Sequence, residues 1–490
     1  MTSKVKLLYL ALTALLLVLF SISVFGETTP VADGAGYDGE FYRKVFENFS
    51  TDFLGEGYDS FRIQRIFPFC LMHLVYKVVG IPFSHTSMVN GMYILHLVNL
   101  ALQLLLFFKL VLNRKWKAST VAILFSLFFF NYYTIKNCGY EPFQTDAFAL
   151  TIALGAYYAL DRGKTALSYA ISLFGLVTWP TVTFVNLLLI IFKQKPDEAP
   201  SKFSSLLFRV APFAYGAGVA LLFAAFLLFN KTRALCELIM AKPSFPHTAL
   251  AFVAIIAFLF YFFKKATPIP YSPKSFLKSF DWKTLALVAI PFIAIKLILG
   301  VCANNEFYYD GKLFLLQIIF RPIRTILVTP AGHLAYWGLL PVLALLTATS
   351  FTQNFAKRSA GHALALLALF LFSLDSEARH IITFIPLMLL PLGESLEELK
   401  IKPYAAALIV TLQLAASHFY IPINVEGFAE AMEKRAFLDY PAQRFFMSFG
   451  PWMSVKNVAI TLVLGVIVYF ALKKLLFPHK KTDDPQVTGF

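Results

Sequence analysis

The sequence predicts an all-α polytopic membrane protein, and three observations carry that reading. Of 490 residues, 58% are hydrophobic and only 14% are charged, whereas soluble domains carry about a quarter charged residues. Apolar runs long enough, or nearly so, to cross a hydrocarbon core of ~30 Å recur from end to end. Those runs are unbroken, unlike the alternating pattern of an outer-membrane barrel. In a bilayer each such segment must close its own backbone hydrogen bonds, which a helix does.

Apolar segments are expected near 7–25, 88–112, 118–135, 144–160, 165–179, 181–193, 209–230, 247–263, 284–303, 333–350, 359–374, 379–393, 403–421 and 454–473. The first follows Lys4 and Lys6 and lacks a small-x-small cleavage site at "SVFGETT", so it reads as an uncleaved helix. The run 66–83 is apolar enough to cross. If it did, the basic stretches "NRKWK" (113–117) and "DRGK" (161–164) would face outward. It is therefore laid on the outer membrane surface as an amphipathic helix within the first external loop, 26–87. The run 165–193 contains Thr178-Trp179-Pro180, and proline breaks the helical ladder. Two short helices meeting at the outer side result; the alternative is one kinked span, with 66–83 also crossing. About fourteen spans, short ones included, put both termini on the inner side, where the basic clusters then gather. Externally this leaves 26–87, "KNCGYEPFQTD" (136–146), "NNEFYYDGK" (304–312), "LDSEARH" (374–380) and 421–453.

The net charge of +15 would suggest nucleic acid in a soluble protein. Here it fits the Lys/Arg bias of inner loops, and no nucleic-acid partner is expected. Four cysteines have no CxxC or Cys/His spacing, which argues against a zinc or redox centre. No glycine-rich phosphate cradle is present, so no ATP-driven motor is expected.

The external loops carry short motifs. "GYDGEFY" (36–42) is followed by "FRIQRIFP" (61–68). An inward N-terminus, an acidic first loop with a surface helix, a return to "RKWK", an acid in the second loop and a Thr-containing break between short helices complete the pattern. This resembles the GT-C superfamily of integral-membrane glycosyltransferases. Protein O-mannosyltransferases, oligosaccharyltransferase catalytic subunits and lipid A aminoarabinose transferases belong to it. More narrowly, the motifs resemble bacterial members with a YDGQFYY-like and a YRxQRxLYP-like motif. Residues 1–193 carry the resemblance and would form the catalytic module; residues 194–490 would form a variable transmembrane module. The resemblance implies a GT-C-like helical bundle in the plasma membrane, by default a bacterial inner membrane. It also implies a polyprenyl-phosphate-linked sugar donor, a glycan, lipid or protein acceptor, membrane lipids as partners, and inverting single displacement on the external face. The rival class is a transporter or flippase of a lipid-linked saccharide. Such proteins place polar residues near mid-membrane and often repeat a half, whereas here the acids sit in external loops and no repeat is visible.

That reaction needs a carboxylate to take the acceptor's proton. Asp38, between Gly36 and Gly39 in a loop free to turn, is the first candidate, with Glu40 as an alternate. A plain Asp-Gly turn is the bland reading. Tyr37 could stack on a sugar or anchor the loop. Arg62 and Arg65, with Gln64 between, suit the departing phosphate because guanidinium donors form a rigid fork; pairing of Arg62 with Asp59 is the alternative. Arg379 and His380 would meet the carrier phosphate, unless Arg379 simply pairs with Glu377 or Asp375. Arg321 and Arg324 form a second candidate pair. Glu141 and Asp146 could orient the acceptor, assist Asp38, or help hold a divalent cation. With no DxD motif in the first loop, no metal or other cofactor is assigned.

Overall fold

A computed structural model describes residues 3–193, 245–266, 273–304, 327–421 and 453–477, with isolated residues and short runs between, and leaves out the side chains of Tyr37, Leu112, 245–248, Pro273 and Ser275. The expected segment 209–230 and the loops 304–312 and 421–453 lie wholly or mostly outside the described residues. Nearly all that is described is helix, with one pair of two-residue strands. Among the described residues, five helices are long and apolar enough to cross a membrane, or up to seven if each of two bent pairs counts as one.

Helix ends gather at two poles. At one, Arg114 pairs with Asp161 at 2.6 Å and Arg358 with Glu394 at 2.5 Å. There too the Lys117 amide and the Thr120 hydroxyl donate to Glu397, and the Gly361 amide donates to the Phe192 carbonyl. At the other, the end of the Ser3–Val24 helix meets the 136–146 loop through Lys136–Glu27 at 2.7 Å and Thr29 N to Tyr140 O at 3.0 Å. The Trp337 indole donates to the Ala378 carbonyl nearby. One apolar core joins residues from Val5 to Leu476, so early and late helices pack together across the expected boundary at 193.

Two expected spans are broken. The run 118–135 is a helix, Ala118–Phe129, bent by 48° into Tyr133–Tyr140; the run 333–350 begins as Val328–Trp337 and turns by 112° into Leu340–Leu346. Both breaks meet one buried side chain. The Gln413 amide nitrogen donates to the Phe130 and Trp337 carbonyls at 2.8 and 3.3 Å, and its oxygen accepts from the Leu339 amide at 2.7 Å. A bend that exposes buried backbone groups persists where a polar group satisfies them. Gly338, at φ 63°, turns the second break; a Cβ there would lie 2.6 Å from Gln413 Oε1.

The segment 26–87, expected as the first external loop, is largely helical. Tyr37–Asp52 and Phe67–Val79 pack on each other through the stacked Tyr42–Phe69 rings, 4.6 Å apart, and through the Phe46 carbonyl, 2.8 Å from His73 Nδ1. The second of these has 13 residues, a length of about 20 Å against a hydrocarbon core of about 30 Å. Its free face is Leu71, Leu74, Val75, Val78 and Val79, all exposed. A helix with one buried and one exposed apolar face thus forms within the run 66–83. The 165–193 run likewise forms Thr165–Leu173 and Pro180–Ile191, parted at Thr178 and Trp179. Tyr58–Asp59 pairs in parallel with Ala303–Asn304, tying the first loop to the end of the Trp282–Val301 helix.

Candidate functional site

Asp38 is not in a loop, as expected, but in the first turn of the Tyr37–Asp52 helix. The tight turn falls two residues before Asp38, at Gly36 (φ 83°), whose carbonyl accepts from the Glu40 amide. A methyl group at Gly36 would lie 3.2 Å from Glu141 Oε1, so the missing side chain lets the second loop's acid approach the helix start. Gly39 serves packing: a Cβ there would sit 3.1 Å from the Phe143 Cβ.

The second loop is pinned from several sides. His96 Nε2 lies 2.8 Å from the Pro142 carbonyl, Asn137 donates to Gln144, and the Tyr93 hydroxyl donates to the Gly139 carbonyl. These contacts set Glu141 beside Gly36 and start the Asp146–Asp161 helix beneath it.

Arg379 joins the pieces. Its Nε donates to Glu377 at 2.6 Å, and its terminal nitrogens lie 4.0 Å from Asp38 Oδ2 and 4.0 Å from Asp146 Oδ2. Arg62 lies 3.5 Å from Asp38 and 3.5 Å from Asp59. Asp59 also accepts from the Phe61 and Arg62 amides, which shapes the short Arg62–Arg65 turn. Asp38 thus lies between two guanidinium groups while about a third of its side chain stays exposed; the Asp146 side chain, at 1%, is closed off. Arg65 is wedged between the rings of Phe61 and Trp179, 4.5 and 4.3 Å from their centroids.

Burial pushes the Glu141 carboxyl up to about 8, with Arg379 pulling it down and Asp146 and Asp38 adding to the rise. That shift favours the protonated form at neutral pH, which can offer a hydrogen bond, a role opposite to that of a base. Around the cluster lie buried polar atoms with no hydrogen-bond partner among the described residues: both Asp146 oxygens, Thr178 Oγ1, Ser376 Oγ and the Tyr42 hydroxyl. Native folds leave few such atoms, and each is a place where water or a ligand would bond.

Of the residues singled out in the sequence, Asp38, Arg62, Arg65, Glu141, Asp146 and Arg379 come together. Glu40 faces away and pairs with Lys44 at 3.5 Å. His380 is buried with its Nδ1 2.6 Å from Asp375 Oδ2, and its ring lies against Trp179. Gln64 reaches sideways to Lys296. Arg321, Arg324 and the Tyr37 side chain lie outside the described residues. Both readings of Arg379 hold in part, since it pairs with Glu377 and also reaches Asp38 and Asp146. Sequence reasoning did not rank Glu377, Asp59, Trp179 or Lys296 as site residues. The signal for Lys296 was a charge inside an apolar run; the others are found only through their partners. With Arg379 already within 4.0 Å of Asp38 and Asp146, a cation bridging those two carboxylates would face a guanidinium, and no step below runs through a metal.

No family model, curated protein or solved structure matches the chain.

Proposed function

We propose that the protein is a membrane glycosyltransferase of the GT-C kind, moving a sugar from a polyprenyl-phosphate-type carrier to an acceptor hydroxyl on the external face. One observation carries this: Asp38, partly exposed, stands within 4.0 Å of both Arg62 and Arg379 at the pole opposite the Arg114 and Arg358 clusters. The acceptor hydroxyl gives its proton to Asp38 as its oxygen attacks the anomeric carbon. That carbon's bond to the carrier phosphate oxygen breaks, and the phosphate leaves with the electron pair. The configuration inverts because attack and departure occur on opposite faces. Arg62 and Arg379 offset the negative charge that grows on the phosphate, in a setting where fixed donors act without reorganising. Glu141, protonated, donates to an acceptor or ring oxygen.

The alternation of described helices between the two poles supports about fourteen crossings with both chain ends on the inner side, the pole rich in Arg114, Lys117, Lys193 and Lys402. On this reading residues 1–193 supply Asp38, Arg62 and Glu141 of a plasma-membrane protein's catalytic site, Arg379 completes it from beyond the expected module boundary, and 67–79 lies on the outer surface. A transporter would favour a charged cluster midway between the poles, whereas the Asp38–Arg379 cluster lies at one end.

The test uses purified protein, a panel of polyprenyl-phosphate sugars and candidate acceptors. Asp38→Asn should lower turnover by about 10²–10⁴-fold, the usual contribution of a positioned base. Undiminished turnover by the Asn variant removes Asp38 from that role.

A further inference from the structure

Lys296 lies five residues before the end of the Trp282–Val301 helix. One face of that helix packs inward through Val288 and Leu299, which are buried. The other, with Ile290, Ile293, Leu297, Ile298 and Val301, is apolar and exposed. A lysine in such a segment is unfavourable unless a partner offsets its charge, and by default it marks a functional site. Its Nζ donates to Gln64 Oε1, a neutral amide. Among the described residues no carboxylate stands within ion-pair distance of it. The nearby acids are engaged elsewhere: Asp38 and Asp59 with Arg62, Glu377 and Asp146 with Arg379.

Gln64 is part of the Arg62–Arg65 turn, so the ammonium is held against the segment that carries both arginines. The result is an ammonium without a carboxylate partner among the described residues at the edge of the site, on the side where the exposed apolar face of the 282–301 helix begins. An ammonium has three donors, and Gln64 takes one. The group that fits the remaining donors is an anion attached to an apolar chain lying along that helix. The exposed Phe174 ring, 5.1 Å from Phe67, adds apolar surface on the same flank.

We infer that Lys296, held in place by Gln64, binds the phosphate of a lipid-borne carrier that approaches sideways from the membrane along the 282–301 helix. The inference rests on the reading of the site given above, and it assigns the carrier's path and a phosphate ligand that neither motif contains. Two sources share this chemistry, an isoprenoid phosphate and a phospholipid headgroup; the isoprenoid is the one proposed.

The test measures retention of a polyprenyl monophosphate by the full chain in phosphatidylcholine nanodiscs, with uncharged polyprenol as the control. Lys296→Gln should weaken polyprenyl phosphate binding by about tenfold or more, as expected for loss of a charge-assisted hydrogen bond, and Lys296→Arg should largely restore it. Binding of the uncharged alcohol should be the same in all variants. Gln64→Glu keeps the lysine but supplies an internal counter-ion; it should weaken phosphate binding comparably while leaving the fold intact. Wild-type affinity in both Lys296→Gln and Gln64→Glu overturns the inference. So does displacement of the probe by equimolar phosphatidylglycerol, which would assign the site to bulk phospholipid, or by equimolar inorganic phosphate. Because binding is read without turnover, a chain that retains the probe through Lys296 yet transfers no sugar refutes the transferase reading and leaves this one standing.

Discussion

Replacing Glu141 by Gln should change how stability depends on pH more than it changes stability in acid. In the folded chain the Glu141 carboxyl is pushed up to about 8 from an ordinary 4.5, first by burial and then by Asp146 and Asp38, against the pull of Arg379. Between those two values the folded state binds a proton that the unfolded state has released. Stability is therefore fully present below about pH 4.5, falls as pH rises, and levels off above about 8. Each tenfold in proton affinity is worth ~1.4 kcal/mol, so the whole fall is at most about 5 kcal/mol. Glutamine keeps the shape and the donor and cannot ionise. Melting temperatures in one detergent at a fixed scan rate, taken from pH 4 to 9, should converge in acid and diverge in base, with Glu141→Gln the more stable above pH 8. At about 2–4 °C per kcal/mol for larger domains, even half the maximal effect gives a separation of several degrees. Parallel curves for the two proteins across the whole range would refute the reasoning, since they would mean that Glu141 ionises freely in the fold.

Arg379→Met should destabilise the protein by about 3–5 kcal/mol, because Glu377, Asp146 and Asp38 lose the cation they share; thermal unfolding reads this directly. Gly36→Ala combines a left-handed backbone at φ 83° with a new contact 3.2 Å from Glu141 Oε1, so a loss of about 1–2 kcal/mol and a shifted pH dependence are expected. Gln413→Leu leaves three buried backbone groups unsatisfied at two helix breaks. At about 1–3 kcal/mol for each, the variant should fail to yield a monodisperse peak on size exclusion, whereas Gln413→Glu should be intermediate.

Much of the architecture is legible because apolar length is a local property. The runs that start near 7, 88, 284 and 454 became long helices, and Pro180 marked the pause between two short ones. The break after Phe129 was not legible, because no proline or glycine marks it; the one after Trp337 carries Gly338 and Pro341, but its sharp turn shows only through its partner. Both breaks are stabilised by Gln413, which lies 283 residues from Phe130 in sequence. Site residues divide along the same line. Asp38, Arg62 and Arg65 fall in two short motifs, and Glu141, Asp146 and Arg379 are charges next to apolar runs, so residue type and place were enough to nominate them. Their relation was not readable: Arg379 is 341 residues from Asp38, and only packing of the late helices against the first loop brings them within 4.0 Å. The same packing changed what Glu141 can do. As a loop acid it reads as an orienting group or an aid to Asp38, but lodged against Gly36 its carboxyl is pushed up to about 8 by burial, with Asp146 and Asp38 adding to the rise. On the proposed reading, two carboxyls in one cluster are set to different work, Asp38 to take a proton and Glu141 to offer one. That division depends on burial of Glu141 and not on its residue type, which is why Glu141→Gln is the substitution that tests it.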